Sequence, residues 1–211
     1  VTRIITASVV VESSGNALPA AVLIGTGGIL PPTEAYDSDG FSIFNPEVDG
    51  LDFYESLEGM RVTIDAPIVT SPTNGFGETT VVASGGAGAT GVNSRGGTTI
   101  SAGDFNPERI QIDDDAGLFA GYIPGYSQGD ILSSVTGIVS YNFTSYEVLV
   151  TEAVTVTADA PALVREATTL IGDEDHLSMA TYNLSNLDPS DTTFNLLASD
   201  VVYALGAPDI L

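Results

Sequence analysis

Short runs rich in Val, Ile and Thr, separated by clusters of Gly, Pro, Asn and Asp, extend from residue 3 to residue 158. Runs of this kind are typical of short β-strands joined by turns. The predicted strands are Arg3–Glu12, Ala20–Ile24, Phe41–Phe44, Arg61–Ile64 continuing to Val69, Thr79–Ala83, Arg109–Ile112, Val135–Ser140, Tyr146–Val150 and Val154–Ala158. The sequence therefore predicts an all-β region over most of the chain.

Several features indicate that the predicted sheet curls into a small barrel. Gly137 interrupts the alternation in Val135–Ser140, and a glycine inside a strand often marks a bend or bulge. A weak internal similarity relates residues 57–82 to residues 127–150, which fits either tandem half-barrels or two hairpins of one barrel. Between them, Ser84–Gly97 has six glycines and predicts a mobile surface loop.

The charge balance excludes some classes of function. The chain has 28 acidic and 5 basic residues, a net charge of −23, and no cysteine. Nucleic-acid affinity comes mainly from Lys and Arg that neutralise phosphates, so we predict no direct nucleic-acid binding by this chain. The lack of cysteine excludes disulfides, thiolate zinc sites and thiol nucleophiles.

Composition also predicts where the protein works. The longest apolar stretch, residues 18–30, is interrupted by glycines, so we predict no membrane span. Abundant Thr, Ser, Gly and Asp without Lys is typical of proteins exported into salty settings. We therefore predict an extracellular or cell-surface location.

Four acidic residues, Asp37, Asp39, Asp49 and Asp52, form a candidate metal site within 16 residues. Calcium takes six to eight oxygen ligands on a flexible loop. The EF-hand spacing is not met, because the twelfth position counted from Asp37 is Val48. The pattern therefore fits either a structural Ca²⁺ or other divalent site of another type, or solvated turns whose Asp side chains cap the backbone.

Two other polar features are weaker candidates for a site. Asp113–Asp115 is a second acidic run, which a solvated turn explains as well as a metal site. His176 is the only histidine, so a site built on two histidines is excluded. Its acidic neighbours, including Asp173, favour an exposed loop.

The pattern changes at Leu177. Residues 177–182 form a short apolar run, and the following apolar residues occupy one helical face: Phe194, Leu197, Ala198, Val201, Val202 and Leu205. Gly206 ends the helix, and Asp209–Leu211 begins another strand. A strand, helix, strand order opens an α/β layer, but about 35 residues cannot bury both faces of a parallel sheet.

The segment Leu177-Ser-Met-Ala-Thr-Tyr-Asn-Leu-Ser-Asn-Leu resembles the first core strand of the endonuclease/exonuclease/phosphatase domain, which ends in a Tyr/Phe-Asn-hydrophobic-x-Asn-Leu turn. The helix and Gly206-Ala-Pro-Asp-Ile-Leu match the order in that family. The resemblance implies that Asn183 belongs to an active site, beside Mg²⁺ or a similar metal and the scissile phosphate. It also implies that the metal-binding Glu follows Leu211, so we expect the chain alone to be inactive.

Upstream, Phe44–Val62 and Asp104–Ile110 resemble the OB-like accessory region that precedes this catalytic domain in large secreted bacterial nucleases and phosphatases. The expected fold is mainly β: an OB-like β-barrel, or tandem half-barrels, followed by a short truncated α/β segment. The expected divisions are an unassigned N-terminal strand region (1–35), an OB-like accessory domain (36–158), a linker (159–176) and the first strand and helix of the catalytic domain (177–211).

These observations predict a non-catalytic accessory or scaffolding module of a secreted metal-dependent nuclease or phosphodiesterase, whose partner is its own downstream catalytic domain. One alternative is an extracellular structural or adhesive β-protein, a homo-oligomer or filament that assembles by strand addition through Arg3–Glu12. Another is a carbohydrate-binding module, which needs an exposed aromatic platform. The sequence leaves these alternatives open.

Overall fold

The computed structural model describes residues 8, 10–113, 117–162, 164–184 and 186–211. By its contacts the chain divides into two compact units, Val1–Pro161 and Ala162–Leu211. This division falls inside the predicted linker, 159–176.

The first unit is a curled sheet with one short helix. Its elements are β1 (Val22–Ile24), α1 (Gly50–Glu55), β2 (Arg61–Ile64), β3 (Ile68–Ser71), β4 (Thr79–Val82), β5 (Ile110–Asp113), β6 (Ile131–Leu132), β7 (Val135–Asn142), β8 (Ser145–Val150) and β9 (Val156–Ala158). The order across the sheet is β1-β2-β7-β8-β5-β4-β3-β6-β9.

The strand pairing closes into a barrel because two strands are bent. Strands β2 and β3 follow one another as one bent strand, and so do β6 and β7. Strand β2 pairs with β7, and β3 pairs with β6. The two pairs share a single antiparallel register: Arg61 with Ile138, Ile64 with Val135, and Ile68 with Ile131. The ring continues through β4, β5 and β8, and the β5–β8 pair is parallel. This is the five-stranded connectivity of an OB barrel.

The predicted fold class is therefore confirmed: the protein is mainly β, with a barrel and a short helical segment. The two similar segments, 57–82 and 127–150, supply adjacent strands of the same barrel. At Gly137 a β-carbon would overlap the carbonyl oxygen of Leu149 on β8, and the pairing of β7 with β2 and β8 continues through this residue without the predicted bulge.

The core of the barrel consists of branched aliphatic side chains. Those with the least exposure are Ile24, Val62, Ile64, Val69, Val81, Ile112, Leu132, Val135, Val139, Val148 and Val150. Full burial of one such side chain contributes about 1.5–3 kcal/mol. Phe53, Tyr54 and Leu57 extend this core from α1 and the turn after it.

One predicted strand is wrong, and two elements lie outside the predictions. Phe41–Phe44 forms no strand, because Phe41 has a positive φ of 62° and its N–H donates to the carboxylate of Asp37. Helix α1 and the two-residue strand β6 have no counterpart among the predicted elements.

Within Arg3–Glu12, residues 3–7 and 9 lie outside the described residues, and residues 8 and 10–12 are not in a strand. Strand β1, from the region predicted as 1–35, pairs in parallel with β2.

The glycine-rich stretch Ser84–Gly97, predicted as a mobile surface loop, is hydrogen-bonded to Glu108, just before β5. The carboxylate of Glu108 accepts hydrogen bonds from the backbone N–H of Thr90 (2.8 Å) and from its hydroxyl (3.3 Å). Glu108 is 3% exposed, and its Oε2 has no hydrogen-bond partner. Burial raises the pKa of Glu108, although hydrogen bonds to its carboxylate act in the opposite direction.

This raised pKa predicts a pH-dependent effect of Glu108→Gln. The folded state retains the proton more strongly than the unfolded state, so this group's contribution to stability is largest at acidic pH and is lost as the pH rises through the folded pKa. At pH 7 the neutral amide is easier to bury than a carboxylate with an unpaired oxygen. We expect Glu108→Gln to raise stability at pH 7 by about 1 kcal/mol, or roughly 2–4 °C in Tm, with a smaller gain at pH 4.

Thermal unfolding at both pH values measures this effect. Glu34→Gln is the control, because Glu34 is exposed and the substitution removes the same charge. A gain for Glu108→Gln that is equal at pH 4 and pH 7 would contradict the prediction.

The second unit contains a helix and one parallel bridge. Helix α2 (Phe194–Ser199) continues into a π-helical turn, Asp200–Ala204. Met179 and Ile210 form an isolated parallel bridge. This single bridge takes the place of the two predicted strands, residues 177–182 and 209–211. Among the described residues of 162–211, none is buried. Across the described parts of the whole chain, no helix has the length and apolar character needed to span a bilayer.

Candidate functional site

Three of the four predicted metal ligands come together in front of α1. One carboxylate oxygen from each of Asp37, Asp39 and Asp49 lies within 4.8 Å of the others. Asp49 is 2% exposed and immediately precedes the helix. Asp52 is not in this group; its carboxylate accepts a hydrogen bond of 2.6 Å from the backbone N–H of Asn45.

A strap of backbone, residues 35–36, brings the Asp37 turn beside Asp49. The carbonyl oxygens of Ala35 and Tyr36 accept hydrogen bonds of 3.0 Å each from the N–H groups of Gly50 and Leu51. Gly50 is required there, because a β-carbon would lie 2.5 Å from Cβ of Pro107. The strap thus places the Asp37 turn beside the start of the helix.

The same carboxylates also cap backbone turns. Asp49 Oδ1 accepts from the N–H of Ser38 at 2.7 Å, and Asp39 Oδ1 accepts from the N–H of Ser42 at 2.8 Å. A carboxylate has about four lone-pair positions, so these bonds leave capacity for a cation. Three clustered carboxylates supply the hard oxygen donors that Ca²⁺ takes, and carbonyls or water would have to supply the rest.

The sequence singled out two other acidic features, the run Asp113–Asp115 and the loop around His176. In the run Asp113–Asp115, Asp113 is buried at the end of β5, and residues 114 and 115 lie outside the described residues. His176 Nδ1 lies 2.7 Å from Asp173 Oδ1, and this contact lowers the pKa of the exposed Asp173 carboxyl. His176 lies in an exposed loop, where the sequence placed it.

Asn183 is exposed and follows the bridging segment of the second unit. The neighbouring Tyr182 donates its hydroxyl to Asp200 Oδ2 at 2.6 Å, and Asp200 also pairs with Arg165. The Asp209 carboxylate accepts from the N–H and hydroxyl of Ser178, both at 2.9 Å. These bonds connect Tyr182 to the turn after α2 and Ser178 to the residue before Ile210.

The barrel also carries a cavity of about 280 Å³ that the sequence did not reveal. Its lining includes Tyr36, Tyr54, Tyr146, Arg109 and Gln111. These residues come from separate segments: Tyr36 from the strap, Tyr54 from α1, Arg109 and Gln111 from the start of β5, and Tyr146 from β8. The sole sequence signal is the presence of Arg in a chain with few cations, which does not specify a location.

The tyrosines of this cavity are held by hydrogen bonds. The hydroxyl of Tyr54 donates to the carbonyl oxygen of Glu108 at 3.0 Å, and that of Tyr146 donates to the carboxylate of Glu55. Burial raises the pKa of Tyr54, and burial together with Glu55 raises that of Tyr146. Both phenols are therefore neutral at physiological pH and present uncharged aromatic rings.

Fold and site together define a small OB-type barrel with an acidic loop against helix α1. Residues 17–159 match a family described as a domain of unknown function, DUF8508. This match covers more than half of the chain, so the chain belongs to that family. Comparisons with curated proteins and with solved structures gave no match.

Proposed function

We propose that this chain is a non-catalytic accessory module of a secreted metal-dependent nuclease or phosphodiesterase, joined to the opening strand and helix of the catalytic domain. The observation that carries the proposal is the parallel bridge between Met179 and Ile210, with α2 in the connection between them. Parallel strands require such a crossover, and parallel sheets are covered on both faces.

The exposed apolar side chains of the second unit support this proposal. Met179 is 74% exposed and Ile171 is 80% exposed, although both are large and apolar. Leu170, Leu177, Leu196 and Tyr203 are also largely exposed. Leu170, Ile171, Leu177 and Met179 line one open cavity, and a shared exposed apolar surface is typical of a place that another structure covers. We propose that the remaining strands and helices of an α/β catalytic domain cover them.

In this proposal Asn183 is the only residue of the chain in the catalytic site. By the family resemblance, Asn183 would lie beside the divalent metal and the scissile phosphate. Mg²⁺ or a similar ion would supply Lewis-acid activation of the phosphorus centre. Abundant Thr, Ser, Gly and Asp, the absence of Lys and the strong negative charge support an extracellular or cell-surface location.

The barrel unit would stabilise and position the catalytic domain, with a structural Ca²⁺ at Asp37, Asp39 and Asp49. Clustered carboxylates repel one another, and a bound cation would offset that repulsion. The barrel has its own closed core, which a module that folds independently requires.

Two measurements on the 211-residue chain test the proposal. We expect no hydrolysis of bis(p-nitrophenyl) phosphate with Mg²⁺ or Ca²⁺ present, because most of the catalytic groups are missing. We also expect backbone amides of residues 162–211 to exchange with solvent much faster than those of β2, β7 and β8, because the second unit has no buried residue among those described. Metal-dependent hydrolysis by this chain, or equal protection of both units, would contradict the proposal.

The alternative of a filament or homo-oligomer stays a prediction. It depended on Arg3–Glu12 as an added strand, and the described residues of that range are not in a strand. Negative-stain electron microscopy at neutral pH tests it: ordered polymers would favour the filament, and uniform small particles would favour the accessory module.

A further inference from the structure

Arg109 lacks an acidic partner in a protein that is rich in acids. Its guanidinium makes no hydrogen bond or ion pair with any described residue, and its Nε is buried without a partner. By contrast, Arg61 pairs with Glu152 at 2.7 Å and Arg165 pairs with Asp200. A buried donor without a partner destabilises the folded state, so this arginine is better explained by a ligand than by stability.

The barrel fixes the groups that surround Arg109. Thr80 on β4 pairs in register with Gln111 on β5, and β8 begins at Ser145 on the other side of β5. Thr80, Arg109, Gln111 and Ser145 line the cavity of about 280 Å³ together with the tyrosines. The cavity is thus lined by hydroxyl groups from Thr80 and Ser145, the amide of Gln111 and the guanidinium of Arg109.

Aromatic rings form the remaining wall. Tyr54 and Tyr146 lie with ring centroids 6.0 Å apart, and their hydroxyls are engaged with Glu108 and Glu55. Tyr36 is 41% exposed and also lines the cavity. Fixed rings beside hydrogen-bonding groups provide an apolar face for a flat or ring-shaped ligand with polar edges.

We propose that this cavity, which we call the Arg109 pocket, binds a sugar ring that carries one oxyanion, either the carboxylate of a uronate or the phosphate of a sugar phosphate. The guanidinium fork matches an oxyanion, and the hydroxyl and amide groups match sugar hydroxyls. The volume lies near the lower end for ligand pockets, which fits a single ring. The net charge of −23 disfavours a polyanion, and one guanidinium matches one anionic group.

This inference goes beyond the proposed function and uses only barrel residues, so either can fail without the other. The test is a ¹⁵N–¹H chemical-shift titration of the 211-residue chain with glucuronate, glucose 6-phosphate, glucose and inorganic phosphate. We expect saturable shifts around β4, β5 and β8 with glucuronate or glucose 6-phosphate, and at least roughly tenfold weaker binding of glucose, because it lacks the oxyanion. The stronger of the two anionic arms identifies the source of the oxyanion.

Variants separate the Arg109 pocket from nonspecific binding. Arg109→Met is expected to weaken binding by roughly 10- to 100-fold, and Tyr36→Ala, a change at a partly exposed ring, to weaken it with Tm unchanged. Arg95→Met, which removes a cation elsewhere, should leave binding unchanged. The proposal is overturned if neither anionic sugar saturates, if inorganic phosphate binds as tightly as glucose 6-phosphate, or if both pocket variants bind like the wild type.

Discussion

In the proposed parent enzyme, Asn183→Ala is expected to reduce phosphodiester hydrolysis by about 10²–10³-fold. The reason is that Asn183 is proposed to lie beside the metal and the scissile phosphate, and removal of one preorganised polar group of this kind costs about that factor in kcat. The loss should appear in kcat with bis(p-nitrophenyl) phosphate and Mg²⁺. The melting temperature should stay constant, because Asn183 is exposed.

Asn16→Ala provides the matched control, because Asn16 is also exposed and lies in the other unit. It should leave kcat unchanged. Hydrolysis that is equally fast in Asn183→Ala and in the wild type would exclude Asn183 from the catalytic site. That result would not test the accessory role of the barrel, which the hydrolysis measurement on the 211-residue chain tests separately.

The barrel strands were predictable because their signal is local. Runs such as Arg61–Ile64 and Tyr146–Val150 place branched side chains on the core side of a strand. Helix α1 escaped prediction because it has six residues, begins with Gly50 and contains two adjacent aromatic residues. Such a segment has weak intrinsic helix propensity and is stabilised by tertiary packing of Phe53 and Tyr54.

The two candidate sites differ in how far the sequence could reveal them. The acids Asp37, Asp39 and Asp49 are close enough in the chain for one strap and one helix start to unite them. The Arg109 pocket depends on long-range pairing, because Tyr36 and Tyr146 meet only when the barrel closes. No local pattern encodes that juxtaposition, so side-chain spacing alone could not predict it.

Ca²⁺ is expected to raise the melting temperature of the 211-residue chain by about 5–11 °C at 100 times its dissociation constant. A ligand that binds only the folded state contributes about 2.7 kcal/mol at that ratio, and a domain of this size gains roughly 2–4 °C for each kcal/mol. The unfolded chain lacks the strap that brings Asp37 to Asp49, so it would bind the ion much more weakly. Differential scanning calorimetry against an EGTA-treated sample measures the shift.

Asp49→Asn should abolish this shift, because it removes the charge of the buried carboxylate while its amide oxygen can still accept from the N–H of Ser38. Glu47→Gln removes one charge from an exposed position on the same loop and should retain the shift. The comparison separates a specific site from general screening of the acidic surface, because screening depends on total charge and would respond equally to both substitutions. An equal shift in wild type, Asp49→Asn and Glu47→Gln would therefore mean that the three acids only cap the turns before α1, and that the stabilisation comes from ionic strength.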